Sequence, residues 1–255
     1  MVVRVIPVLL ATACLGWMAL APASASAQEP RFVVELEGGP VWQSSNNVEV
    51  PNDGTATRFS LTDLAGTGPT WAGRGYVTWR LTERSSLRVL VAPLSFTETG
   101  TPSSPLRFED EDFLAGTPVE ATYTFNSYRL SYRWLAKSTD GADYWIGGTA
   151  KVRDATIALD QGGTSSRKDN IGFVPLLHLA ADWRVGPSLR IGADVDALAG
   201  GPGRAIDAAV KIGYDLDDRW SMRVGYRTVE GGADVDEVYN FAWINYAVAS
   251  VVWRR

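Results

Sequence analysis

Alternation with period two is the strongest pattern in the chain, and Phe173–Val195 carries it on both arms of a turn. Phe173, Pro175, Leu177, Leu179, Ala181 and Trp183 are apolar, while the opposite face ends in His178, Asp182 and Arg184. After Val185-Gly186-Pro187-Ser188 the alternation resumes, with Leu189, Ile191, Ala193 and Val195 set against Arg190, Asp194 and Asp196. This predicts a β-hairpin with one hydrocarbon face and one charged face. A soluble sandwich would bury the first face between sheets. A membrane barrel turns it to lipid and keeps the charges in the lumen.

The same reading predicts strands at Phe32–Trp42, Trp71–Leu81, Leu87–Thr97, Pro118–Leu135, Tyr144–Ala158, Ala205–Leu216, Trp220–Glu230 and Val238–Trp253. Pro93 and a slip in parity near Asn126-Ser127 each predict a bulge. Leu159–Asp169, Ala199–Arg204 and Gly231–Glu237 read as connections. Gln43–Pro69 and Thr99–Gly116 read as long loops, the first with a short ordered piece at Phe59–Leu64. The expected fold is all-β: an antiparallel up-and-down transmembrane β-barrel of about ten strands, with eight as the alternative, an even number in either case. With both termini periplasmic, Thr82–Ser85, Ala136–Asp143, Val185–Ser188 and Asp217–Arg219 are the short periplasmic turns, and the two long loops fall outside. Barrels show this asymmetry, and no soluble fold demands it.

Tryptophan positions give a second test. Trp79, Trp134, Trp145, Trp183, Trp220 and Trp253 fall at strand ends on the expected periplasmic side, and Trp42 and Trp71 at the opposite rim. Together they are read as the interfacial aromatic girdle. Parity points Glu35, Glu37, Arg74, Arg80, Arg88, Arg129, Arg133, Lys151, Arg153, His178, Asp182, Arg184, Arg190, Asp194, Asp196, Asp207, Lys211, Asp215, Arg223 and Arg227 into the lumen. In a narrow barrel such charges pair across strands and brace the wall. The alternative is a small polar pore whose excess arginine favours anions.

Composition narrows the rest. Met1–Ala27 reads as a secretory signal for the Sec pathway: Arg4, an apolar core over Val5–Leu20, then Ala25-Ser26-Ala27 before the cut. Gln28–Arg255 is then one barrel domain. The single cysteine, Cys14, lies in the signal, so the mature chain has no disulfide, thiolate catalysis or cysteine-based metal site. A net charge of −5 argues against a nucleic-acid partner.

Over Gln28–Arg255 the chain resembles the superfamily of small Gram-negative outer-membrane β-barrels. The stretches Gly116-Thr117-Pro118 through Tyr123-Thr124-Phe125-Asn126-Ser127-Tyr128-Arg129-Leu130, and Arg227 through Glu230-Gly231-Gly232-Ala233-Asp234 to Tyr239-Asn240-Phe241, resemble a porin-like branch of it. The resemblance implies fold and an outer-membrane location among lipid and lipopolysaccharide, and it brings no activity. Members commonly end on an aromatic residue that the barrel-assembly machinery recognises. Trp253 matches it, followed here by Arg254 and Arg255.

Barrel enzymes are the rival class. Omptin-like proteases pair acidic residues with a histidine at the outer rim, and lipid A deacylases and palmitoyltransferases use a serine and a histidine. The only histidine here is His178. It sits mid-strand and points inward, so the expectation is a neutral imidazole bonded to a lumen carboxylate or tyrosine. No G-x-S-x-G or H-E-x-x-H motif occurs. Neither a catalytic set nor a cofactor is expected. The weak metal candidates are loop carboxylates, Asp234, Asp236 and Glu237, with the acidic run Glu109–Asp112 beside them. The lead expectation is a non-enzymatic barrel, structural or a minor channel for a solute that the sequence does not name.

Overall fold

The computed structural model describes residues 30–255 except Pro202, so the signal-peptide reading of Met1–Ala27 lies outside the described residues. Fourteen strands and one five-residue helix follow in order: β1 Phe32–Glu49, β2 Phe59–Ser60, α1 Leu61–Ala65, β3 Thr70–Arg80, β4 Ser85–Ala92, β5 Ser95–Gly100, β6 Leu106–Phe108, β7 Glu111–Phe113, β8 Val119–Ser138, β9 Ala142–Gln161, β10 Thr164–Arg184, β11 Leu189–Gly200, β12 Gly203–Asp215, β13 Trp220–Val235 and β14 Val238–Arg254. Ten antiparallel wall strands (β1, β3, β4 continued by β5, then β8 to β14) close on themselves through β14 and β1. Closure leaves no edge at the seam, where Val33 faces Arg254 and Glu49 faces Tyr239. Phe32 and Arg255, which exchange backbone hydrogen bonds, lie at one end of the barrel, called here the terminal end. The long connections lie at the other, the loop end.

Outward residues in the terminal half are apolar and exposed, among them Val77, Val89, Leu130, Ile146, Leu179, Val210, Val224 and Val251. A continuous apolar belt around a closed barrel belongs in hydrocarbon, where every backbone group must be paired internally. The belt is bounded by aromatics. At the terminal end Trp79 stacks on Phe32 at 6.2 Å, and Trp183 meets Tyr144 edge-on at 6.2 Å, donating from Nε1 to its hydroxyl. Trp220 and Trp253 are cross-strand neighbours there, and Trp134 is exposed at the same end. Toward the loop end stand Trp42 against Tyr226, the exposed Trp71, and Trp243, which sequence reading left out of the girdle.

Several expectations need correction. Trp145 is not in the girdle: its neighbours Tyr144 and Ile146 face out, and the Arg133 guanidinium lies 4.9 Å from its ring inside the barrel. No bulge occurs at Asn126-Ser127. The β8–β9 register shifts between Leu135 and Lys137 instead. Above Ser127 the same inward face turns apolar with Phe125, Tyr123 and Ala121, which imitates a slip in parity. Pro93 interrupts the ladder between β4 and β5 without a register shift, and the Leu94 amide bonds Asn126 Oδ1 instead. Leu159–Asp169 is strand around a two-residue turn, where Gly162 and Gly163 take the positive φ (58° and 109°) that such hairpins need. Strand β13 likewise runs on to Val235, through most of the expected loop at Gly231–Glu237.

The turns at the terminal end are locally specified. Asp217 Oδ1 accepts from the backbone amides of Arg219 and Trp220, both at 2.7 Å, closing the β12–β13 turn. Those two bonds hold its carboxyl below the ordinary aspartate range.

Candidate functional site

Two layers fill the interior. The upper layer is an apolar cap built by the long connections. Strand β2 pairs with β1, Val48 facing Phe59, and α1 starts on Ser60, whose Oγ accepts from the Asp63 amide at 3.1 Å. The helix lies against the barrel rim at Gly100, where a Cβ would sit 1.2 Å from the Leu64 carbonyl oxygen. The β6–β7 hairpin folds inward, burying Phe108 and Phe113 completely with Leu61, Val50 and Val119. Phe59 meets Phe108 edge-on at 6.2 Å. Polar bonds pin the cap: the Glu109 amide to Val50 O at 2.7 Å, and Gln161 to the Leu114 amide and to the carbonyls of Leu114 and Thr117. Lys168 bonds Glu109 at 2.8 Å.

Below the cap lies a hydrogen-bonded network of charged and polar side chains to which all ten wall strands contribute, β9 through Thr149, β10 through His178 and β14 through Ser250. Asp207 (β12) accepts from Arg74 (β3) at 2.8 Å, Arg129 (β8) at 2.6 Å and Arg227 (β13). Asp196 (β11) accepts from Arg129 at 2.8 Å and from Thr149 (β9) at 2.8 Å. Glu37 (β1) accepts from Arg227 at 3.0 Å and Lys211 (β12) at 2.7 Å. Glu35 accepts from Lys211 at 2.5 Å and Ser250 (β14) at 2.7 Å, with Arg223 at 3.7 Å. Arg88 (β4) binds Asp194 at 2.5 Å. Tyr76, opposite Glu35 across β1–β3, bridges Arg74 and Glu37. The side chains of Glu37, Arg129, Asp207 and Arg227 are 0%, 2%, 3% and 3% exposed. A water-filled channel at this level would wet them. The lumen is shut.

A smaller cluster closes the terminal end. Arg190 joins Asp182 at 3.0 Å and Asp215 at 2.6 Å, and Arg184 meets Asp143 at 2.5 Å. Arg254 reaches Asp215 at 3.2 Å. Arg80 ends β3 at this end, and Arg153 lies just past the middle of β9, where its guanidinium bonds Asn170 Oδ1. Sequence reading missed Asp143, Tyr76, Thr149, Ser250 and Arg254. The sequence pattern places Asp143 in a turn, whereas β9 already includes it, and Tyr76 shares the inward parity of Arg74.

His178 (β10) is 1% exposed. Its Nδ1 lies 2.8 Å from Asp196 Oδ1, and its Nε2 lies 3.1 Å from Arg133 Nε. A guanidinium only donates, so Nε2 is an acceptor and the proton sits on Nδ1, facing the carboxylate. That is a neutral imidazole with both nitrogens engaged, and neither of these bonds is to a hydroxyl. His178, Asp194 and Asp196 form the one grouping among the described residues whose atoms could share an ion. Arg88, Arg129 and Arg133 already hold those atoms, and such a ring of cations opposes another cation. Asp234, Asp236 and Glu237 form no such grouping. Asp234 instead accepts from Asn52, and Asp236 gives its carbonyl to the Asn52 amide.

This architecture, a closed ten-stranded up-and-down transmembrane barrel, is the fold of Gram-negative outer-membrane barrels. Among solved structures, the chain is similar to the outer membrane protease OmpT from Escherichia coli, with a TM-score of 0.56 and 10% identity over 91% of this chain and 99% of that one. The attachment invasion locus protein Ail of Yersinia pestis overlaps less closely, with a TM-score of 0.40 and 8% identity over 88% of this chain and 99% of the other. No family model matches the sequence, and no curated protein matches it.

Proposed function

We propose that the protein is a non-enzymatic outer-membrane barrel, exported through the Sec pathway, that works as a closed, charge-braced wall element and does not serve as a pore. The near-zero exposure of the mid-lumen charges carries this reading. The apolar cap supports it independently, because a solute channel gains nothing from filling its own mouth with phenylalanine. Its surroundings are outer-membrane lipid and lipopolysaccharide, and the C-terminal strand β14, ending Val252-Trp253-Arg254, is the segment offered to the barrel-assembly machinery. In planar bilayers, barrels whose insertion is verified by protease protection should give no steady conductance. Long-lived open steps would overturn the closed-lumen reading.

The protease neighbour raises an enzymatic alternative, and His178 is where such chemistry would have to sit. It lies below the cap, with its lone pair taken by Arg133. Replacing His178 with alanine should leave the acylation pattern of lipid A in the host membrane unchanged while lowering barrel stability. Mass spectrometry of extracted lipid A checks this, and an altered acyl chain count would make His178 part of an active site.

A further inference from the structure

Pairing in the wall lapses at two places toward the loop end: between β3 and β4–β5 above Gly75–Val91, and between β10 and β11, where a cavity lies behind the break. Pairing between β10 and β11 runs from Arg184–Arg190 up to Leu177–Ala197 and stops there, although β10 continues to Thr164 and β11 to Gly200. Pro175 stands just above the last pair, where its ring supplies no N–H to extend a ladder. Above this point β10 has ladder pairing only with β9. Its outward side chains lose their flank cover: Ile171 is 76% and Phe173 69% exposed, against 45% for Leu179 lower on the same face. Phe173 marks the upper margin of the apolar belt, and unpaired strand edge at that margin is tolerated where it lines a cavity or meets polar partners.

A cavity of about 420 Å³ lies behind the gap, between the cap and the charge network. This is the size of small-molecule sites. Its walls are mainly apolar, including Phe125, Ile157, Leu176, Val229 and Ile244. Outward-facing Phe173, Pro175 and Ile206 also line it, which puts its mouth on the lipid side of the wall. Of its charged lining residues, Arg129 with Asp207, Arg204 with Glu230 and Lys168 with Glu109 are ion-paired, which leaves Lys151 and Arg153, the latter with one terminal guanidinium nitrogen on Asn170 Oδ1. Lys151 is 3% exposed, rests 4.7 Å from the Phe125 ring, and feels Arg129 and Arg153 as like charges. The carboxylate in its field, Asp207, is already shared by three arginines. Arg153 Nε is buried without a hydrogen-bond partner. Among the described residues, neither side chain has a carboxylate in ion-pair range. Every other deeply buried cation of the mid-lumen lies against a carboxylate or, for Arg133, the imidazole and the Trp145 ring.

We propose that this cleft binds a single-chain anionic amphiphile taken sideways from the membrane. Its head group sits on Lys151 and Arg153, and its chain leaves between Phe173 and Ile206 into the lipid. An anion supplies the countercharge that the two cations lack, and the chain covers the apolar mouth. Bound amphiphile leaves the lumen closed below it, so this site stands or falls separately from conductance.

Carboxyl-labelled dodecanoate, added to the refolded barrel in phosphatidylcholine nanodiscs, should show one saturable site per barrel by carbon NMR. Dodecanol, which has the same chain and no charge, should bind about ten- to a hundredfold more weakly, the usual range for losing charge-assisted bonds. Lys151→Met should show the same loss and Lys151→Arg should restore binding. Lys151 has no ion-pair partner, so its replacement leaves no carboxylate stranded, and gel mobility before and after heating verifies folding. Ala205→Trp, facing Leu198 at the mouth, should block entry without touching the charge. Dodecyl phosphate in place of dodecanoate assigns the head group as phosphate or carboxylate by which binds tighter. Absence of a saturable site for either anion overturns the proposal. Equal binding of dodecanol, or of dodecanoate to Lys151→Met, would also overturn it, because the cavity would then be an apolar void without an anion site.

Discussion

Asp207→Ala should lower the unfolding free energy of the barrel by about 3–5 kcal/mol, the usual cost of removing one partner from a buried charge cluster. Arg74, Arg129 and Arg227 all converge on this carboxylate, and each is nearly inaccessible to water. Alanine leaves three guanidiniums facing one another with only Glu37 and Asp196 to share. Asp207→Asn keeps an acceptor oxygen and loses the charge, so it should fall between wild type and alanine. Asp182→Asn is the control: its partner Arg190 is 32% exposed and keeps Asp215, so the change should cost less than about 1 kcal/mol. Urea unfolding in micelles, followed by tryptophan emission, reads all three. Similar midpoints for Asp207→Ala and Asp182→Asn would mean that the network packs the lumen without holding it together.

How far this network could be foreseen depends on the level of description. Parity alone marks Glu37, Arg129, Asp207 and Arg227 as inward, because the membrane half obeys a single rule: apolar out, polar in. Which cation meets which carboxylate was not legible. Arg129 and Asp207 are four strands apart along the wall and meet only because the barrel closes. The rule also reverses at the loop end, where water bathes the outside and the cap fills the inside. Tyr123 and Phe125 therefore face inward while Thr122 and Thr124 face out, which mimics a bulge and hides the strand ends at Glu49, Gln161 and Val235. Trp145 was misplaced for a different reason. In Tyr144-Trp145-Ile146 every residue is large and apolar, so local alternation carries no parity, and only the charged positions further up β9 fix the face. The anion cleft was hidden from sequence reading because it arises from a difference in length between β10 and β11, and the turns that set those lengths looked like ordinary loops.

Leu179→Arg should prevent stable insertion by placing a guanidinium on the lipid face near the middle of the apolar belt. Leu179 faces out on β10, 45% exposed, opposite Val195 on β11 and Ile146 on β9. Here both flanking strands are fully paired, so the backbone offers the arginine no polar refuge. The expected cost is about 2–4 kcal/mol, as for basic residues at the midplane of other barrels. Ile171→Arg lies on the same face of the same strand, eight residues toward the loop end. There the side chain can reach water or head groups, and the cost should drop to about 0–1 kcal/mol. Refolding into liposomes across a urea series measures both with identical charge added. The pair acts as a depth gauge, because only position along the strand differs. If the two variants insert equally well, the belt does not lie in hydrocarbon and the outward face has been assigned to the wrong solvent. If Ile171→Arg proves the costlier, the bilayer is centred on the gap beside β11. The open edge of β10 would then sit in acyl chains, where its unpaired amides need a bound partner still more.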